Sequence, residues 1–152
     1  MLGRFTACLL CILVTVLFSL KQMGVTEAER NENHICFALE SFMCDMEKRA
    51  VITLEDINEL QKNISLAGMG CDLEIEIGTV LYGRENSTIE LEYTGEILKE
   101  LSIPGKEIDL KNRMITVRVI PKTECLGAEL ANMLWKTYMS QKEFVTGGFI
   151  HG

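Results

Sequence analysis

Proline and histidine are scarce in this sequence, and glycine is unevenly spread. The 152 residues include two prolines and two histidines. The first proline is Pro104, and Gly24 is the only glycine between Gly3 and Gly68. Because proline and glycine are the least favourable residues inside a helix, the N-terminal third contains little that would interrupt one.

Charge is absent from one stretch near the N-terminus. The run Phe5–Leu20 contains no charged residue, no glycine and no proline. A charged side chain at the centre of a membrane helix costs about 2.5–3.5 kcal/mol, so this run indicates a lipid-embedded segment. As a helix that continues to Val25, with Lys21 extending toward the headgroups, it reaches the ~30 Å of a hydrocarbon core. The residues predicted to form the membrane anchor are Phe5, Leu9, Leu10, Ile12, Leu13, Val16, Leu17 and Phe18.

Small residues are missing where a signal peptidase needs them. A cleaved signal peptide ends in an A-x-A-like pattern, whereas this run ends Leu17-Phe18-Ser19-Leu20. Cys8 and Cys11 lie too early in the run for a lipid-modified cysteine, which should close it. We therefore expect a retained signal anchor. Arg4 precedes the run, and the positive-inside bias then predicts a cytoplasmic N-terminus with the remaining chain outside the cytoplasm.

Basic residues are few in the middle of the chain. Residues 51–110 contain 13 acidic and 4 basic residues, a net charge of −9 within a total of −7. Nucleic-acid phosphates require a basic footprint, so no nucleic-acid partner is predicted. We interpret these acids as the solvated faces of strands and helices. The roughly 125 residues beyond the anchor suit one domain.

The cysteines outside the anchor, Cys36, Cys44, Cys71 and Cys125, form no C-x-x-C pair and have no histidine at ligand spacing. No metal site is therefore predicted. Cys36 and Cys44 are eight residues apart on a predicted helix, a separation of about 12 Å that exceeds the ~7 Å limit for the Cα atoms of a disulfide. A bridge from either to Cys71 or Cys125 stays open for an oxidising compartment.

A helical pattern continues beyond the anchor through residues 26–49. Its apolar residues recur at three- and four-residue steps, which is typical of an amphipathic helix. The anchor and this segment are therefore predicted to form one long helix. We call its apolar side the stripe and expect it to pack on the head domain or on neighbouring subunits; it consists of Ile35, Leu39, Phe42, Met43 and Met46.

Alternating helix and strand signals follow. Thr53 and Asp56 have the spacing of a capping box and begin a helix with Ile57 and Leu60 on its apolar face. Residues 72–77 and 89–93 alternate as half-buried strands do. The acids of these two strands are expected on the wet side of a sheet; they are Glu74, Glu76, Glu90 and Glu92.

The C-terminal part gives weaker signals. Residues 96–101 suit a helical turn or irregular chain. Ile108 and Leu110 are expected to begin a hairpin that turns at residues 111–113 and returns along residues 114–120, which are rich in β-branched side chains. A further amphipathic helix is predicted over residues 126–138, and residues 144–150 suit either an edge strand or disorder.

These elements predict an α+β fold. An N-terminal transmembrane helix continues into a long amphipathic helix, followed by a small antiparallel sheet with one or two packed helices. We divide the chain into an anchor (residues 1–25), a stalk helix (26–50), a head domain (51–143) and a C-terminal tail (144–152).

No enzyme motif occurs in the sequence. His34 and Cys36 are two positions apart on a helix and so point in different directions, and His151 lies next to the C-terminus. The paired acids on the strands are explained by alternation with apolar residues. We therefore predict no catalytic residue, no cofactor and no identifiable small-molecule substrate.

Two stretches of the head resemble a known family. Residues 53–57 read Thr-Leu-Glu-Asp-Ile, and residues 66–76 read Leu-Ala-Gly-Met-Gly-Cys-Asp-Leu-Glu-Ile-Glu. Together with the anchor layout, they are similar to bacterial accessory pseudopilins of tight-adherence (Flp-type) pilus systems, which are type IV pilin-like. Prepilin peptidase substrates have glycine before the cut and usually glutamate five residues later. Gly3 is present here, but the fifth residue after it is Cys8.

The resemblance implies a non-enzymatic, single-span protein that is retained in the cell membrane. Its partners would be the lipid bilayer, which holds the anchor, and other pilus or secretion subunits. The alternative is a membrane-tethered sensing or ligand-binding module outside the cytoplasm, with the acidic sheet face as its surface. A hydrolase would require a deep pocket with at least two titratable groups, which no motif predicts.

Overall fold

The computed structural model describes residues 2–68, 70–82, 87–122 and 142–151. The helices are α1 (Leu2–Arg49), α2 (Leu54–Ser65) and α3 (Thr94–Leu101). The strands are β1 (Val51–Ile52), β2 (Cys71–Tyr82), β3 (Ser87–Tyr93), β4 (Ile108–Asp109), β5 (Arg113–Pro121) and β6 (Phe144–Ile150). The predicted helix at 126–138 and Cys125 lie outside the described residues. The predicted α+β layout is confirmed.

Helix α1 is a single helix of 48 residues. The anchor and the amphipathic segment are therefore continuous, as the lack of proline predicts. The helix ends at Ala50, whose φ of 53° is the left-handed conformation that commonly terminates helices. Its amide donates to the Met46 carbonyl at 2.8 Å, and its carbonyl accepts from the Leu110 amide at 2.8 Å. The end of α1 is thus fixed to the head by backbone hydrogen bonds.

Helix α2 begins with the predicted capping box. The amide of Asp56 donates to the Thr53 hydroxyl oxygen at 3.3 Å, and the Thr53 amide donates back to the Asp56 carboxylate at 2.9 Å. Ile57, Leu60 and Ile64 on the apolar face are buried. Local sequence signals therefore predicted both the start of α2 and the side that packs.

Four strands form an antiparallel sheet in the order β3-β2-β5-β6. Residues 144–150 are its edge strand, one of the two options left open for the tail. Ile115, Val117 and Val119 of β5 are 0% exposed on one face, as their alternation predicts. We call this side, which α1 and α2 help to cover, the inner face, and the opposite side the outer face.

The prediction of a hairpin between residues 108 and 120 is wrong. Strand β4 pairs with β1, with Val51 opposite Asp109 and Ile52 opposite Ile108, in a separate two-stranded sheet. Asn112 adopts a positive φ of 56° and donates its amide to the Ile150 carbonyl, which turns the chain toward β6. A pairing partner more than 50 residues away in the sequence thus replaced the nearby one.

An ion pair joins the end of α1 to the start of α2. Arg49 Nη2 lies 2.5 Å from Asp56 Oδ1. Burial raises the pKa of the Asp56 carboxyl, but hydrogen bonds from Arg49 and Thr53 outweigh it and hold this pKa below its usual value of 3.8. Since the pKa is lower in the folded state, the interaction stabilises the head fully above the unfolded-state pKa and is lost as the pH falls through the folded-state value.

Asp56→Asn should therefore lower the stability of the head by about 1 kcal/mol at neutral pH, because the charge-assisted cap is lost. The variant should also lose part of the decline in stability that the parent shows on acidification below about pH 5. Thermal unfolding of the detergent-solubilised full chain across this pH range measures both. Glu59→Gln, an exposed acid on α2, should leave the pH dependence unchanged; equal slopes for all three proteins would contradict the role of Asp56.

Candidate interaction surfaces

The N-terminal part of α1 makes no contact that buries it in the head. Within the described residues, α1 is the one helix long and apolar enough to cross a membrane. The most apolar stretch of 18 residues in this helix is 0% buried. Phe5 and Phe18 of the predicted anchor are among the most exposed large hydrophobic residues in the described part of the chain. An exposed apolar surface of this size is unfavourable in water and is compatible with a transmembrane or signal-anchor helix.

The stripe lies inside the head. Its five residues belong to the same buried core as the inner face of the sheet and the apolar sides of α2 and α3. The approach to β6 is close, because a Cβ atom added at Gly148 would lie 3.4 Å from Met43 Cε. Of the two partners expected for the stripe, the head's own sheet and helices are the ones in contact with it.

The side of α1 opposite the stripe carries an exposed aromatic residue. Phe37 is 70% exposed, and Cys44, seven residues further on, is also exposed. A spacing of seven is close to two full turns, so both side chains face the same direction, away from the head. Sequence reasoning overlooked Phe37, although its position outside the three- and four-residue spacing of the stripe was a visible signal.

The acids of β2 and those of β3 do not share a face. Ile77 on the inner face lies opposite Glu92, and Thr79 lies opposite Glu90. Directly opposed residues project to the same side of a sheet, so Glu90 and Glu92 are on the inner face. Alternation then puts Glu74 and Glu76 on the outer face. The single acidic sheet face expected from the sequence is thus divided.

The reversal of β3 exposes its apolar side chains. Ile89 and Leu91 are 56% and 40% exposed on the outer face. Leu91 is in the same cross-strand row as Met114 of β5 and Phe149 of β6, with Gly78 of β2 between Leu91 and Met114. The expectation that the acids of β3 form its wet side is therefore wrong. At the margin of the inner face, Glu92 instead lies 3.8 Å from Arg113. The register with β2, which local alternation does not specify, decided the orientation of β3.

Strand β2 extends beyond its partner β3. The pairing with β3 stops at Glu76 opposite Tyr93, whereas the pairing with β5 continues to Cys71. Thr94 follows β3 directly and is the first residue of α3, and its hydroxyl takes the place of a backbone pair. It accepts from the Ile75 amide at 2.7 Å and donates to the Ile75 carbonyl at 3.1 Å. Asp72, Leu73 and Glu74 therefore have no strand partner on that side within the described part of the chain.

Two grooves border this end of β2. One, of about 480 Å³, lies on the side of the acids and is lined by Asp72, Glu74, Glu76, Tyr93 and Thr94, among others. The second, of about 200 Å³, lies between α2 and the start of β2 and includes Ile64 and Leu73 in its lining. We call the stretch Asp72–Ile75 together with these two grooves the β2 edge.

The histidine and cysteine side chains considered for chemistry are not brought together in the described part of the chain. His34 is exposed, with Nε2 3.1 Å from the Asn63 carbonyl oxygen, and His151 packs edge-on against Phe149. No group of three potential metal ligands occurs among residues 2–68, 70–82, 87–122 and 142–151. Burial raises the pKa of the Cys71 thiol, which disfavours the reactive thiolate.

No family model, no curated protein and no solved structure matches this chain.

Proposed function

We propose that this chain is a non-enzymatic, single-span membrane protein that serves as a pseudopilin-like accessory component of a pilus or secretion apparatus. The observation that carries the proposal is the difference in burial between the two parts of α1. Its N-terminal part is apolar and exposed, whereas its C-terminal part supplies buried residues to the core of the head. One rigid helix therefore serves as both membrane anchor and core element.

The proposed orientation has the N-terminus in the cytoplasm and the head outside it. Arg4 ahead of the apolar run favours this arrangement by the positive-inside bias. The peptide patterns at residues 53–57 and 66–76 support the pilus-system assignment by resemblance. The alternative, a tethered sensing module, stays a prediction: its acids are divided between two faces, with Glu74 and Glu76 together on the outer one.

Contacts with other subunits would use the exposed side of α1, since the stripe is occupied by the head. Phe37 is the large aromatic residue on this side, and buried aromatic residues frequently dominate interface energies. Replacing Phe37 with Asp should therefore weaken assembly by tenfold or more, an effect on the order of that expected for an interface hot spot, without removing the protein from the membrane.

The test is photocrosslinking in the native host, with a crosslinking amino acid in place of Cys44, which is exposed on the same side of α1 as Phe37. Adducts with single-span pilus or secretion subunits are expected, and Phe37→Asp should remove most of them. A crosslinker in place of the exposed Glu107, on the loop before β4, is the matched control. If the adducts contain no subunit of such an apparatus, the proposal is wrong.

A further inference from the structure

The β2 edge has the features of a site for a partner's extended chain. Antiparallel ladders direct the backbone groups of alternate residues to the same side. Because the Ile75 amide and carbonyl bond to Thr94 on the side of β3, those of Leu73 face the same side. There, within the described residues, no strand pairs with Leu73. Leu73 thus presents a donor and an acceptor to the large groove.

The two grooves lie on opposite faces of the sheet at this edge, and their lining residues differ in charge. The outer-face groove is lined by three carboxylates, those of Asp72, Glu74 and Glu76. Two bases lie beside them on the other side of β2, with Lys122 2.6 Å from Asp72 and Arg118 3.6 Å from Glu74. The carboxylates outnumber these bases, so the outer side of the edge favours a cation. The smaller groove adjoins the partly buried side chain of Leu73.

We propose that the β2 edge binds an extended segment of another protein, in which basic and apolar residues alternate, as an added antiparallel strand. Side chains alternate between the faces of a strand. The residue opposite Leu73 therefore directs an apolar side chain into the smaller groove. Its two neighbours direct basic side chains toward Asp72 and Glu74, and the backbone pairs with Leu73, which is the known physics of strand addition.

This inference goes beyond the proposed function, because strand addition at β2 does not depend on membership of a pilus apparatus. The surface used here is also separate from Phe37 on α1. A failure of crosslinking at α1 and a failure of peptide binding at β2 are therefore distinguishable outcomes.

The test uses the full chain in non-ionic detergent and a fluorescent heptapeptide of alternating valine and lysine. We expect saturable binding and at least about tenfold slower amide hydrogen exchange at Leu73 in the complex. Asp72→Asn combined with Glu74→Gln should weaken binding by about three- to tenfold, as expected for two exposed charge pairs. Glu107→Gln combined with Glu143→Gln, which changes the net charge equally at exposed positions elsewhere, should not.

Two N-methylated peptides separate strand addition from electrostatic adsorption. In the proposed antiparallel register the valine amides face β2, so methylating them should abolish binding, whereas methylating the lysine amides should leave it intact. Equal binding of the two methylated peptides would overturn the proposal. So would self-association of the free protein that the peptide reverses, because the edge would then belong to a second copy of this chain.

Discussion

Replacing Leu39 with Asp should unfold the head while leaving the protein in the membrane. Leu39 is 3% exposed and lies in the core beside other residues of the stripe. The substitution removes a large apolar side chain and puts a carboxylate in its place, at a combined cost of at least about 4 kcal/mol. Domains are stabilised by about 5–15 kcal/mol in total, so most or all of the stability of the head is lost.

Phe37→Asp is the matched control, because Phe37 is on the same helix two residues away but is 70% exposed. This variant should retain the melting transition of the parent. Limited proteolysis and thermal unfolding of the full chain in detergent distinguish the two variants. If Leu39→Asp loses only assembly and keeps a protease-resistant head, the stripe faces other subunits and its packing in the core is not essential.

Two charges in the anchor should abolish stable membrane integration. Leu10→Lys and Leu13→Lys put two ammonium groups near the centre of the run Phe5–Leu20. At about 2.5–3.5 kcal/mol each, together with the loss of two apolar side chains, they cost roughly 6 kcal/mol of insertion free energy. Most of the double variant should therefore be extracted by alkaline carbonate, whereas the parent stays in the membrane pellet.

The control is the pair Glu27→Lys and Glu29→Lys, which also introduces two lysines, but at exposed positions of α1 beyond the apolar run. These variants should stay in the pellet.

Protease added to intact cells should digest the head of the parent if the head is outside the cytoplasm. Digestion after lysis alone would reverse the proposed orientation, and retention of the Leu10/Leu13 variant would show that the run is not the anchor.

Features determined by neighbouring residues could be predicted from the sequence. The continuity of α1 follows from a lack of helix breakers, and the start of α2 follows from Thr53 and Asp56, whose hydrogen bonds close within three residues. The buried side of β5 follows from β-branched alternation at Ile115 and Val117. In each case the physical cause lies within a few positions of the residue concerned.

Features set by distant pairing could not be predicted. The pairing of β4 with β1 depends on the position at which α1 ends, and the Ala50 carbonyl that receives the Leu110 amide is remote in sequence. For β3, alternation alone allows either face to be wet, and the register of Glu92 with Ile77 decides between them. The β2 edge exists because Thr94 turns away, a tertiary event with no distinctive local pattern.

The continuity of α1 also has a mechanical consequence. Helices are stiff over this length, and α1 contains no proline or other break between the apolar run and Ile35, where the buried core begins. A rotation or axial displacement of the anchor in the bilayer is therefore transmitted to the head as a rotation or displacement of the same size. In the proposed membrane arrangement, α1 has no flexible joint between the apolar run and the head, so the tilt of α1 in the bilayer sets the direction in which the head presents Phe37 and the β2 edge.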